Sequence, residues 1–150
     1  MTAYRLFVRV YFEDTDAGGV VYHARYLAFA ERARTEAMRE MGVSHPQLMD
    51  EFGLFFVVHR AEMDYARPAR LDDVVEVVTG PWQASAAAVW VRQAFLVEGR
   101  QIGALRVRLA CVRREDGRPA RIPERWRRVL SGRGEEGTSV MEEVAGGSGG

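Results

Sequence analysis

A chain of 150 residues, 47% hydrophobic and 28% charged, holds apolar material for one ordinary core and no clear second one. Lys+Arg and Asp+Glu both total 21, so net charge supplies no bulk attraction to nucleic acid or to a membrane surface. Every basic residue is an arginine, a pattern that fits composition bias, so each arginine has to be argued from its position.

Met1 to Val10 lacks a basic segment followed by an apolar one, and no apolar run approaches membrane-spanning length. A single cysteine, Cys111, sits in an alternating segment that reads as a buried strand. With no disulfide partner and no Cys/His cluster for zinc, the expectation is a soluble cytoplasmic protein in a reducing compartment.

Tyr4 to Phe12 alternates, with Leu6, Val8 and Val10 on one face, and predicts a half-buried first strand. A loop follows, Glu13-Asp14-Thr15-Asp16-Ala17-Gly18-Gly19-Val20-Val21-Tyr22-His23, which concentrates carboxylates, glycines and a histidine. Adjacent glycines let the backbone turn sharply and approach a ligand closely. Tyr26, Ala30, Ala33, Ala37 and Met41 then recur at helical spacing, an apolar stripe whose small residues suit close packing on a sheet. Gly42 closes that helix as a C′ residue. Ser44 to Gly53 reads as a short capped second helix.

Strands are expected at Leu54 to Ala66, Asp73 to Thr79, Ala87 to Val97 and Gln101 to Arg113. Turn signals fall at Arg67-Pro68, Gly80-Pro81 and Gly99, with a hairpin through Glu98-Gly99-Arg100. Pro123 to Leu130 predicts a terminal helix. Residues 1–131 are expected to form one domain, and the acidic, glycine-rich 132–150 to form a disordered tail. A strand, a long helix and then four antiparallel strands make an α+β pattern, a curved sheet wrapped around a central helix.

Several chemistries can be weighed on the loop. Asp14-x-Asp16-x-Gly18-Gly19 opens like a calcium loop, yet its twelfth position is Arg25, a cation where a bidentate carboxylate belongs. No second histidine completes a zinc site, and no serine occupies a G-x-S-x-G elbow. Asp14 and Asp16 are both candidates for Asx-turns, and that reading is assigned to Asp14. His45 and His59 read as packing or surface residues.

The run Val10-Tyr11-Phe12-Glu13-Asp14-Thr15-Asp16-Ala17-Gly18-Gly19-Val20-Val21-Tyr22-His23-Ala24-Arg25-Tyr26, with Glu31-Arg32-Ala33-Arg34-Thr35-Glu36, closely resembles the hotdog-fold acyl-CoA thioesterases of the 4-hydroxybenzoyl-CoA thioesterase superfamily. The nearest likeness is to the tol-pal-associated subgroup. Matches at Phe56-Val57-Val58, at residues 65–73 and at Arg118 to Pro123 extend the resemblance over roughly residues 4–130.

The resemblance implies hydrolysis of an acyl-CoA thioester without metal or organic cofactor, in a homodimer or homotetramer with active sites at subunit interfaces. Asp16 aligns with the family's catalytic carboxylate, as nucleophile or as general base. Backbone N–H groups near Tyr22 and His23, at the helix start, would hold the developing oxyanion, and the His23 side chain would add a hydrogen bond. Gly19 and Glu31 are secondary candidates, Glu31 pointing back toward the loop or, by preference, pairing with neighbouring arginines at the dimer interface. Arg67, Arg70, Arg118 and Arg121 are the candidates for the CoA phosphates. Relatives can carry a basic cluster where this chain reads Trp82 to Ala88, which weakens the case for a tight 3′-phosphate clamp. An acyl carrier protein is therefore an alternative donor, and a non-catalytic carrier-protein or envelope-machinery adaptor an alternative function. Phe55, Phe56, Val57 and Met63 are candidate acyl-pocket residues, for short to medium aliphatic chains. A hydratase on this fold would need a histidine beside a carboxylate for carbon-bound proton transfer, which the loop fits poorly.

Overall fold

The computed structural model describes residues 3–132. The expected tail lies outside them apart from Gly132, which is helical. Five strands, β1 (Tyr4–Arg9), β2 (Leu54–Tyr65), β3 (Val74–Ala84), β4 (Ala88–Val97) and β5 (Arg100–Arg113), form one antiparallel sheet in the order β1-β3-β4-β5-β2. Three helices complete the α+β fold: α1 (Arg25–Glu40), α2 (His45–Phe52) and α3 (residues 124–132).

The helical period places Tyr26, Phe29, Ala30, Ala33, Ala37 and Met38 in the core, where they share one apolar cluster with Val75, Val77, Val91, Phe95, Leu105 and Val107 of the sheet. Each large side chain so buried contributes about 1.5–3 kcal/mol. Met38 rather than Met41 completes the buried face, because the helix ends at Glu40 and Met41 is its C-cap. Gly42 follows at φ +80°, with Val43 N–H donating to Met38 O and Gly42 N–H to Arg39 O, a Schellman closure. Ser44 and Gln47 cap α2 reciprocally.

Two expected boundaries move. β1 stops at Arg9, because the Asp14 carboxylate accepts the Tyr11 N–H at 2.8 Å and draws Phe12–Asp14 into a 3-10 turn. Gly80-Pro81 is a bulge inside β3 and not its end: pairing with β4 resumes at Trp82 after a register shift from Thr79. Proline cannot donate to a ladder, and the bulge accommodates it. The β4–β5 hairpin turns on Glu98 and Gly99 alone, at φ +51° and +75°, the two positive values a type I′ turn requires.

Register decides which loops meet. Arg9 pairs with Val74, Val75 with Val97 and Tyr65 with Gly103, so the loop after β1, the β2–β3 connection and the β4–β5 hairpin gather at one end of the sheet. Leu54 pairs with Arg113 at the other end, beside α2 and the segment after β5. β2 lies at the sheet edge, paired only with β5, and is exposed from Val57 to Glu62.

Candidate active site

The loop that follows β1 is a miniature hairpin. Tyr22 N–H donates to Asp14 O, Thr15 bridges Val21, and Asp16 N–H donates to Val20 O, leaving residues 17–19 as the turn. Gly19 takes φ +77°, which any Cβ would strain, and its N–H returns to Asp16 O at 3.0 Å. The second arm is tied down in turn, since Val21 N–H donates to Ala69 O and Val20 bridges Arg70.

The Asx-type bond expected of Asp14 falls to Asp16. Asp16 makes the Asx-type bond, its Oδ1 accepting the Gly18 N–H at 2.8 Å. Its Oδ2 has no partner among the described residues, and the side chain stands in solvent. Asp14 is buried, caps the 3-10 turn and pairs with Arg25 Nε at 3.2 Å. Arg25 also donates to Glu13 O. Asp14 thus builds the loop, while Asp16 is held by one oxygen and presents the other.

The oxyanion donors also need correction. Tyr22 N–H is already engaged by Asp14 O at 2.9 Å, and Arg25 N–H by Tyr22 O. The reason is that α1 begins only at Arg25, after a turn through His23 and Ala24. The N–H groups of His23 and Ala24 have no partner among the described residues. Tyr22 contributes its ring, half exposed and 4.5 Å from that of His23. Tyr65, at the far end of β2, donates its hydroxyl to His23 O at 2.7 Å and places its ring edge-on to His23 and to Tyr26. Tyr26 Oη accepts the Ala69 N–H. Along the hairpin Asp16 lies opposite Val20, so His23 sits three residues farther, roughly 10 Å at about 3.3 Å per residue. The two candidates share a surface without touching.

The four arginines do not converge. Arg67 and Arg70 are exposed at the Asp16 end, Arg70 with its N–H on Asp73 Oδ2. Arg118 and Arg121 are exposed on the segment folded back along β5, where Val112 bridges Pro119. The length of β2 separates the pairs, roughly 35 Å for 12 residues.

A cleft of about 300 Å³ opens between α1, α2 and β2, lined by Glu31, Arg34, Met38, His45, Phe56 and Val57 among others. Phe56 and Val57, two of the four residues expected at an acyl pocket, line this cleft. Phe55 instead pairs opposite Val112, and Met63 packs on the core beside Gly103. Glu31 is exposed at the cleft and makes no ion pair among the described residues.

Arg34 was hidden in the sequence as one more helical charge, yet it is 6% exposed and lies on the buried face, one turn after Ala30. Its Nη1 donates to Gln93 Oε1 at 3.0 Å, while Gln93 Nε2 donates to Ala30 O and Thr79 Oγ1. Burial lowers the guanidinium pKa to about 10, against an opposing pull from Glu31, so it stays charged at neutral pH. Burial first, then Arg34, lowers the pKa of His45. Helical spacing from Ala30 was the available signal for Arg34; nothing local marked Gln93, His45 or Tyr65.

Cys111 is fully buried on β5, and desolvation pushes its thiol up to about 11. Among the described residues no group of three His, Cys, Asp or Glu side chains is placed to hold a metal ion, and no helix is long and apolar enough to cross a membrane.

Acyl-CoA thioesterase YbgC of Haemophilus influenzae is 42% identical over 117 residues, 78% of this chain and 86% of that protein. Acyl-CoA thioester hydrolase YbgC of Escherichia coli is 56% identical over 78 residues, 52% of this chain and 58% of that protein. The crystal structure of a probable thioesterase from Bartonella henselae superposes with a TM-score of 0.76 at 35% identity, covering 81% of this chain and 99% of that one. The thioesterase-like superfamily model matches residues 10–130, from the end of β1 through the Asp16 hairpin to α3, and the chain belongs to that superfamily.

Proposed function

We propose that the protein hydrolyses acyl-CoA thioesters, R–CO–SCoA plus water giving the free acid and CoA, with Asp16 as the reacting carboxylate. The observation that carries the reading is the free Oδ2 of Asp16, on a hairpin braced by Gly19 and by Ala69 and on the same surface as the unengaged N–H groups of His23 and Ala24. The carboxylate attacks the thioester carbon or removes a proton from the attacking water. In either path negative charge grows on the thioester oxygen, and preorganised N–H donors lower that barrier most. The C–S bond then breaks: on the nucleophilic path the thiolate takes a proton from solvent and water hydrolyses the mixed anhydride to free acid and restored Asp16, and on the general-base path the proton held by Asp16 passes to the departing thiolate.

The active unit is a homodimer built on β2. A 12-residue edge strand with exposed Val57 and Val58 offers a row of unpaired backbone groups that a second copy can complete. A two-fold axis perpendicular to the sheet pairs the strands antiparallel. It therefore brings the Asp16 end of one subunit to the Arg118 and Arg121 end of its partner, and four arginines come within reach of one CoA. The cleft beside Phe56 then faces the partner's hairpin and accepts the acyl chain, of short to medium length.

A carrier protein as donor is favoured by one observation. On the outer sheet face Arg92 lies opposite Arg106, and Arg60 opposite Arg108, with Glu62 pairing Arg60 and Arg106. Like charges directly opposite each other are destabilising unless something anionic covers them, and an acidic carrier face would. The test is thiol release from a panel of acyl-CoA esters. Asp16→Asn is expected to lower kcat/KM by about 10²–10⁴ with the fold intact; undiminished turnover removes Asp16 from its role.

A further inference from the structure

Arg34 is a buried cation without a counter-ion. No carboxylate pairs with it among the described residues, and the side-chain amide of Gln93 engages one of the guanidinium's five N–H donors. Gln93 is itself fixed by two further hydrogen bonds, so its Oε1 cannot turn away. Arg34 lines a cleft together with the apolar Met38, Phe56, Val57 and Leu109 and the polar Thr35 and His45. Burying a charge in such surroundings is costly unless a partner arrives. Glu31, the only carboxylate among the lining residues, is exposed and makes no ion pair among the described residues, and its charge only partly offsets the effect of burial on Arg34.

Resting on the thioesterase reading above, we infer that this cleft selects acyl groups whose far end carries a carboxylate, received by Arg34 in a bidentate contact. Planar guanidinium forks match carboxylates in geometry as well as charge. The apolar walls hold the methylene chain between the two ends. At roughly ten water volumes of about 30 Å³ each, the cleft suits a short chain. His45, whose pKa is lowered, remains neutral at pH 7 and does not compete as a second cation. The substrate class is thus the mono-CoA thioester of a short dicarboxylic acid.

The test compares chains of equal length: adipyl-CoA against hexanoyl-CoA, and glutaryl-CoA against pentanoyl-CoA. The wild type should favour the ω-carboxyl member of each pair about tenfold or more in kcat/KM. Arg34→Met should abolish the preference, bringing the two members of each pair to equal kcat/KM. Gln93→Glu, which sets a carboxylate against Arg34, should abolish it as well. Equal rates within each pair in the wild type, or a preference that survives Arg34→Met, overturns the inference while leaving thioester hydrolysis standing. If Arg34→Met does not fold, the wild-type ratio alone decides. If no thioester is turned over, the hydrolase reading fails, and calorimetry with free adipate against hexanoate decides: selective adipate binding upholds the subsite, and its absence overturns it.

Discussion

Replacing Gln93 by leucine tests the packing of Arg34 most directly. Gln93 is 0% exposed, and its amide accepts from Arg34 while donating to Ala30 O and Thr79 Oγ1. Loss of a bond to a charged group costs about 1.5–3 kcal/mol, and each neutral bond about 1 kcal/mol. Burying leucine in place of the amide returns about 1–2 kcal/mol. The net is a destabilisation of about 2–3 kcal/mol, close to 8 °C in Tm for a domain of this size. Urea unfolding followed by circular dichroism measures it, with the m value unchanged. The double substitution Arg34→Met with Gln93→Leu should regain most of that loss, because replacing both members of a buried polar pair is far cheaper than stranding one. A single-mutant cost below about 1 kcal/mol, or a double mutant no more stable than the single, would falsify the view that Arg34 depends on Gln93.

Three further outcomes follow from the geometry. Tyr65→Phe removes the bond to His23 O, worth about 0.5–1.5 kcal/mol, and should lower kcat several-fold while shifting Tm by only a few degrees; an unchanged kcat would show that His23 needs no such brace. His45 has a folded-state pKa below its ordinary 6.5, so the unfolded chain takes its proton first and stability falls as pH drops through the folded-state value. His45→Asn should flatten the stability profile below about pH 6.5; an identical profile in the two proteins counts against a buried neutral ring. Val58→Asp on the exposed edge should yield a monomer of 16.9 kDa in ultracentrifugation and lose activity together with the dimer; an active monomer removes β2 from the interface.

The central helix was legible because Tyr26, Ala30, Ala33 and Ala37 share a period that only a helix brings onto one face. The Glu98-Gly99 turn was legible because its chemistry is local. Gly80-Pro81 misled for the same reason, since what continues β3 past it is pairing with Trp90 and Val91, on another strand. Asp14 and Asp16 could not be told apart by neighbours alone. Their roles depend on where Tyr11 and Arg25 fold back. The four arginines looked like one set until register placed them at opposite ends of β2. Arg34 broke the rule that a charge on a helix faces water, and its partner lies 59 residues away in the chain.

Tyr65 closes β2 and also holds His23. In the dimer proposed on β2, Tyr65 would couple subunit association to the segment that carries the His23 and Ala24 N–H groups. Linkage makes the relation reciprocal: whatever factor dimerisation adds to substrate affinity, bound substrate adds to dimer affinity. Dilution should then weaken binding before it unfolds the chain, and saturating ligand should move the monomer–dimer midpoint to lower protein concentration.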